Sequence, residues 1–456
     1  MKNKILMPIL LVFLAAAVIL MPLLISIFSG SDFFYGEAKY HLRISKLTPM
    51  QGFGGIDYLT VNGQKLDYGA YHAILHFLTR LLPQIFSVIL LGLITGVITI
   101  FLYYLALLRL GLSDNRAIFA CAIVLFSPAF IELFGTANPI GIGLMGSLLG
   151  FMLYQRKDFI GHFLAFISFS FAAMCGPIPA IGSAVLLVLS VLLERKRQGF
   201  IFLAACAFVM TVMLRSGFLP LRVHGPADFP FGIITDLGFS PGIGIFSILT
   251  AIVGTYVLWK RKMEYWPIYV STLILFLLVF FFSADAISYL MFSIAVFSAA
   301  AIFRFVEGSW EFGRIRNALL IVILCGFIFS FVSYASSISA RTYDQDLVDS
   351  LRWLKSASTG AVLTAPKYSY LVQSVAEKSV FLTPKYNTTI LFERNSKRLF
   401  NVLKLSKVKY IVIDDQMRNG LIWKRDDEGL LFALRDQNYF KLTYVKGKIQ
   451  VWELAG

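Results

Sequence analysis

Between Lys4 and Asp32 the chain carries no charged side chain, and from Ile5 to Phe28 it is almost wholly apolar. About 20 such residues cross the ~30 Å hydrocarbon core of a bilayer. In that medium every backbone N–H and C=O must be satisfied within the segment, so the run is constrained to a helix. A secretory leader is the competing reading, because Met-Lys-Asn-Lys resembles a charged leader start. The apolar run far exceeds the ~7–15 residues of a leader core, and no small-x-small site closes it, so it reads as an uncleaved span.

The same length criterion gives eleven candidate spans: 5–28, 83–107, 117–134, 138–154, 159–174, 177–193, 199–214, 242–259, 266–283, 286–303 and 318–335. The fifth and sixth are short and joined by Cys175-Gly176-Pro177-Ile178-Pro179, so the pair also reads as a hairpin dipping into the membrane. Composition agrees. Hydrophobic residues make up 58% and charged residues 15%, against roughly 45–50% and ~25% in soluble domains. The mean hydropathy is +0.75.

Basic residues favour cytoplasmic loops. With the N-terminus inside, the alternate loops hold Arg109 and Arg116; Arg156 and Lys157; Arg195, Lys196 and Arg197; Lys260, Arg261 and Lys262; and Arg304, Arg314 and Arg316. The net charge of +15 is therefore largely a topology signal and gives no reason to invoke nucleic acid. Residues 29–82, 215–241 and everything after about 338 are placed outside the cell membrane. The four cysteines, Cys121, Cys175, Cys206 and Cys325, lie in or beside apolar spans without metal-ligand spacing and read as small packing residues.

From about 339 the pattern changes to alternating helices and strands, the signature of a small α/β domain. Leu347, Val348, Leu351 and Leu354 mark a helix face. "AVLTA" reads as a buried strand, 367–377 as a helix, "SVFL" as a strand and 392–405 as a helix; "KYIVID" is then a strand, followed by a hairpin turning at Lys446-Gly447-Lys448. Asp414-Asp415 reads as a solvated pair in a turn. Asn387-Thr388-Thr389 forms an N-x-T sequon.

The first outer loop is unusually polar. It holds Asp32, Glu37, Lys39, His41, Arg43, Lys46, Asp57 and Asp67, followed by the amphipathic "DYGAYHAILHFLTRLLP" over 67–83, which reads as an interfacial helix. A first span, then "GEAKYHLRI", then "YGAYHAILHFL" resembles the opening of the GT-C glycosyltransferase superfamily, the archaeal oligosaccharyltransferase subunits above all. "LFSPAFIELFGTANPIGIGLMGSLLGFMLYQRK", "TDLGFSPGIGIFSILTAIVGTYVLWKRK" and the tail's "VKYIVIDD" are similar to later parts of the same proteins, in the same order.

The resemblance implies a polytopic helical membrane domain (1–338) with an extracytoplasmic α/β domain (339–456). It implies transfer of a sugar from a polyprenyl- or dolichyl-(di)phosphate donor to a protein or glycan acceptor at the outer face. An acceptor hydroxyl needs a carboxylate to take its proton, and the departing phosphate needs cations or hydrogen-bond donors. Glu37 occupies the position of the family's first-loop acid, with Asp32 as the alternative carboxylate and His41 and Arg43 as phosphate-side partners. Arg222 and His224, in the second outer loop, are further phosphate candidates.

Two departures are visible. Where the oligosaccharyltransferases carry a second acidic motif that helps hold a divalent metal (Mg or Mn), this chain reads "ELFGTANPIG", leaving Glu132 as the one acid beside Asn138. No Trp-Trp occurs anywhere. These point to a monosaccharide transferase working without the metal, or to a non-catalytic scaffold of the same fold. A transporter or flippase of lipid-linked solutes is the third class; the near absence of ionisable residues at mid-span and of an internal repeat argues against it.

Overall fold

The computed structural model describes residues 2–29, 37–51, 56–60, 63–65, 69–156, 158–194, 206, 233–235, 242–340, 344–381, 388–425 and 427–455. The chain packs into two compact units. The first comprises Met1–Phe33 and Asp67–Ala340; the second comprises Phe34–Leu66 and Arg341–Gly456.

The described residues of the first unit are mostly helical, with one isolated parallel bridge between Ile234 and Ile243. In chain order come α1 (Lys2–Ser29), then α2 (Glu37–Gln51) of the second unit, and α3 (Ala70–Leu81) and α4 (Gln84–Arg109). They are followed by α5 (Asp114–Leu125), α6 (Pro128–Gly135), α7 (Pro139–Tyr154), α8 (Phe159–Ala173) and α9 (Pro177–Glu194). After these come α10 (Ile245–Trp259), α11 (Lys262–Phe281), α12 (Ile287–Glu307) and α13 (Gly313–Ala340).

Among the described residues, five helices are long and apolar enough to cross a membrane: Met7–Phe28, Gln84–Arg109, Lys262–Phe281, Ala284–Glu307 and Gly313–Ser337. A sixth crossing results if α5 and α6, which meet at a 70° bend, are one broken span. The bend has a local cause. Ser127 precedes Pro128 and sits in extended backbone, because a proline disfavours helical geometry in the residue before it and cannot donate to the preceding turn. The expected spans at 138–154, 159–174, 177–193 and 242–259 are apolar helices of 10–17 residues by the same length test. Of the expected span 199–214, only Cys206 is among the described residues.

The fifth and sixth expected spans are joined tightly. α8 ends at Ala173, Gly176 takes φ +152°, open to glycine alone among the residues there, and Pro177 starts α9. In the expected interfacial helix, Ala70–Leu81 is helical as read, with Tyr71, His72 and Leu75 buried.

The first unit is held by close helix crossings. Gly254 of α10 faces the carbonyl of Phe297 in α12, where a Cβ would sit 1.7 Å from that oxygen. Ser298 Oγ donates to the Ser247 carbonyl at 2.8 Å across the same crossing. Small residues allow such approach where packing, rather than water exclusion, drives association. Gly254→Ala is expected to force the helices apart and destabilise the protein by about 1–3 kcal/mol. Thermal unfolding of the detergent-solubilised chain checks this; an unchanged midpoint would contradict the crossing. Tyr103 of α4 donates its hydroxyl to the Phe292 carbonyl of α12 at 2.6 Å, and Ser147 of α7 bonds Ser183 of α9 at 2.7 Å. Cys121, Cys175 and Cys206 are buried free thiols and Cys325 an exposed one.

The second unit contains α2, the two-stranded ribbon β1 (Ile56–Asp57) and β2 (Gln64–Lys65), and the C-terminal region. That region runs α14 (Gln345–Ser356), β3 (Ala361–Leu363), α15 (Ser396–Leu405), β4 (Val408–Ile413), α16 (Gly429–Ala433), β5 (Phe440–Lys446) and β6 (Ile449–Leu454). The sheet order is β3-β4-β6-β5, with β3 and β4 parallel and the rest antiparallel. Leu351, Leu354, Leu363, Leu399, Ile411, Trp423, Phe440 and Val451 fill the core. Trp423 satisfies its indole N–H on the Leu391 carbonyl at 2.8 Å.

Among the described residues of the expected strand "SVFL", Val380 makes single parallel bridges to Val362 on one side and Thr60 on the other. Residues 34–66 are adjacent in sequence to the first span, but they pack with the C-terminal region. Val380 N–H donates to the Leu59 carbonyl at 3.0 Å, extending the sheet edge, and α2 buries Tyr40, Leu42 and Ile44.

Candidate functional site

The segment 37–46 is helical, so Glu37 and His41 stand one turn apart on α2. Glu37 begins the helix, and its side chain lies outside the described part of the structure, as do Asp32, Arg222, His224 and the sequon asparagine Asn387. His41 is buried beside Tyr40, with ring centroids 5.4 Å apart. Tyr40 in turn packs on Tyr370 at 5.0 Å.

Arg43 is the organising cation of this corner. Its two terminal nitrogens donate to the two oxygens of Asp57 at 2.9 and 2.5 Å, a fork-on-fork pair. Its Nη2 also donates to Gln373 Oε1 at 3.0 Å, and the amide of Gln373 donates to the Leu59 carbonyl at 3.0 Å. The Leu59 N–H closes the loop onto Asp57 Oδ1 at 3.0 Å. The pair is nearly dry, with side-chain exposure of 10% and 4%. Sequence reasoning missed Asp57 and Gln373 as partners. Gln373 is 330 residues from Arg43, and no local pattern marks it.

In the first unit, Glu132 sits on the short helix α6 just beyond the proline bend. Its carboxylate accepts the hydroxyl of Tyr334 from α13, a residue only 1% exposed. Thr136 Oγ1 donates back to the Glu132 carbonyl at 2.6 Å, and Asn138 caps α7 by accepting the Ile140 N–H at 2.9 Å. Among the described residues no three His, Cys, Asp or Glu side chains converge. Glu132 with its tyrosine is one donor where a divalent cation needs several, so these residues do not fit a metal by themselves. Glu132→Gln keeps the hydrogen bond to Tyr334 while removing the charge. The variant is therefore expected to fold with a midpoint within about 1 kcal/mol of the wild type, measurable by thermal unfolding in detergent.

The carboxyl ends of β3 and β4 form a third polar corner. Asp414 is buried, not solvated as the sequence suggested. It accepts the Tyr368 hydroxyl and the Met417 N–H, the latter at 2.8 Å. Asp415 does meet solvent and pairs with Lys448 at 2.8 Å. Lys367 Nζ lies 4.5 Å from the centroid of the Tyr368 ring and donates to Gln416 Oε1 at 2.5 Å. Burial pushes its ammonium pKa down, opposed by the pull of Asp414.

No protein-family profile matches the sequence, and comparison with curated proteins returns no significant match. Solved structures do match. An oligosaccharyltransferase from Archaeoglobus fulgidus, tethered to an acceptor peptide with an NVT sequon, aligns with a TM-score of 0.63 at 13% identity, over 98% of this chain and 74% of that one. Archaeal oligosaccharyltransferase AglB from the same organism, complexed with an inhibitory peptide and a dolichol-phosphate, aligns at 0.55 and 14% over 90% and 69%. ArnT from Cupriavidus metallidurans aligns at 0.54 and 10% over 97% of both chains. These neighbours are membrane glycosyltransferases of the GT-C class, and the fold resemblance read from the sequence holds. The apolar helices and the shared fold make this a membrane protein.

Proposed function

We propose that a GT-C fold carrying this first-loop helix transfers a sugar from a polyprenyl- or dolichyl-(di)phosphate donor to a protein or glycan acceptor, with inversion, at the outer face of the membrane. The observation that supports it is full-length likeness to ArnT, which has been seen bound to undecaprenyl phosphate in a structure covering 99% of this chain. The AglB neighbour carries dolichol-phosphate. Both ligands are polyprenyl phosphates, so the donor class is the feature the neighbours share.

In this reading the chain runs N-terminus inside and threads the membrane eleven times, with the shorter apolar helices as tilted or partial crossings. The 339–456 region is then extracytoplasmic. Glu37 takes the acceptor proton, with Asp32 as the alternative carboxylate and His41 one turn along α2. Arg222 and His224 meet the donor phosphate. Arg43 has its fork committed to Asp57 and Gln373, so its part is to fix the helix that carries Glu37 rather than to hold phosphate. Glu132 enters as a charge beside the α6–α7 turn, and no step is routed through a metal.

A second reading is favoured by one feature: Arg43 and Glu132, polar groups of the kind a site would use, are engaged by Asp57 and Tyr334. A non-catalytic scaffold would show the same. The deciding experiment supplies membranes containing the chain with radiolabelled sugar on dolichyl phosphate and on undecaprenyl phosphate. Label appearing in peptide or glycan acceptor is the expected result. No transfer from any donor favours the scaffold, and uptake of solute into sealed vesicles favours a transporter.

A further inference from the structure

At the amino ends of β3 and β4, opposite the Asp414 corner, the second unit has a groove of about 830 Å³. Its lining includes Lys404, Lys407 and Lys409 and no aspartate or glutamate among the described residues. Hydroxyls of Thr359 and Ser406 and the ring of Phe400 share the same wall. Lys404 and Lys407 are exposed. Lys409 meets Glu453 at 3.3 Å, with both side chains about one-third exposed, a contact of small worth in water.

Two details set this apart from an ordinary solvated face. Lys407 adopts φ +55° just past the end of α15, a left-handed position that glycine usually fills at helix ends. A lysine there accepts a backbone cost of order 1 kcal/mol to keep a cation in place. Behind the wall, Lys378 is buried and donates to the carbonyls of Ala357 and Ser358 at 3.0 and 2.8 Å. Its pKa is lowered by burial and further by the neighbouring Lys409. Lysines at the end of α15 also complement the helix dipole. That accounts for one or two charges at a helix terminus, but not for a concave, acid-free wall with hydroxyls and an aromatic ring beside them.

We propose that this groove binds an anionic, sugar-sized ligand through its phosphate or carboxylate. The ammonium groups hold the anion by charge-assisted hydrogen bonds, Thr359 and Ser406 meet hydroxyls of the body, and the Phe400 ring backs the Lys404 ammonium, which lies 5.3 Å from its centroid. The volume lies within the ~300–1,000 Å³ of small-molecule sites. Two sources offer this chemistry: a phosphorylated or acidic glycan, and the headgroup of an anionic lipid. Leu405, 85% exposed at the rim, suits the second. The inference does not depend on the transferase reading.

The test uses the full chain in phosphatidylcholine nanodiscs, titrated calorimetrically with glucose 1-phosphate and, separately, glucose. Binding of the phosphate but not of glucose is expected, weakening as NaCl rises because exposed charges are screened. Lys404→Glu with Lys407→Glu is expected to weaken it by about tenfold or more, and Lys407→Gly, which relieves the backbone, to weaken it less. Lys424→Glu, on an exposed residue outside the groove, leaves it unchanged. In parallel, amide exchange over 400–410 is compared in phosphatidylcholine and phosphatidylglycerol discs. Protection that appears only with phosphatidylglycerol, without glucose 1-phosphate binding, assigns the groove to a lipid headgroup. The proposal is overturned if neither arm shows binding, if glucose binds as well as its phosphate, or if the charge-reversed pair behaves as wild type.

Discussion

Glu37→Gln is expected to lower the rate of sugar transfer by about 10²–10⁴-fold, the usual contribution of a positioned general base. Glutamine keeps the shape and the hydrogen-bonding oxygen of the side chain but cannot take a proton. The loss should therefore fall on kcat, while the concentration dependence on donor is held. Glu37→Asp moves the carboxylate back by one methylene and is expected to restore part of the rate. Asp32→Asn, run alongside, separates the two carboxylates of the first loop. If both amides transfer sugar at the wild-type rate, the base is elsewhere. Because Glu37 begins α2, an anion there is also favoured by the helix dipole, worth about 0.3–1 kcal/mol. Unfolding measured beside activity distinguishes that small effect from loss of chemistry.

Arg43→Ala or Asp57→Ala is expected to destabilise the second unit by about 3–5 kcal/mol, because each leaves its partner charged and dry. The double replacement Arg43→Met with Asp57→Leu is expected to recover much of that loss, since an apolar pair of similar volume removes both desolvation penalties. Limited proteolysis of the full chain, followed at sites within 344–456, reads the unit directly. A single variant as resistant as wild type would show that the pair is more hydrated than 10% and 4% exposure imply. Arg43→Lys keeps the charge but loses the fork, and should fall between.

The membrane class was legible because apolar length is a one-dimensional property. The spans at 5–28 and 83–107 could be read off directly, and helices Met7–Phe28 and Gln84–Arg109 stand there. The order of motifs gave the GT-C resemblance that the solved structures bear out. What failed to show was anything set by distant partners. Span length alone did not reveal that Pro128 would bend the third candidate by 70°. Asp414-Asp415 looked like one wet pair, yet just past the end of β4 the first turns inward, taking the Tyr368 hydroxyl and the Met417 N–H, while the second, in the helical turn that follows, meets Lys448 at the surface. The "SVFL" strand pattern was real but half-used, since among its described residues Val380 makes single bridges to Val362 and Thr60. Tyr334 on Glu132 spans 202 residues and leaves no trace in local sequence.

The interrupted make-up of the second unit sets a timetable for biogenesis. Its first piece, 34–66, leaves the ribosome before any of the 341–456 piece exists. Leu59 waits for Gln373 across 314 residues, which at about 5–20 residues per second is roughly 15–65 s of synthesis. During that interval Arg43 and Asp57 have each other but not the carboxamide that completes the loop, and the edge at Leu59–Thr60 has no Val380 to receive. A nascent chain arrested shortly before Val372 should therefore present α2 and its ribbon to chaperones as an open sheet edge, while the same segment is closed as soon as the tail is released.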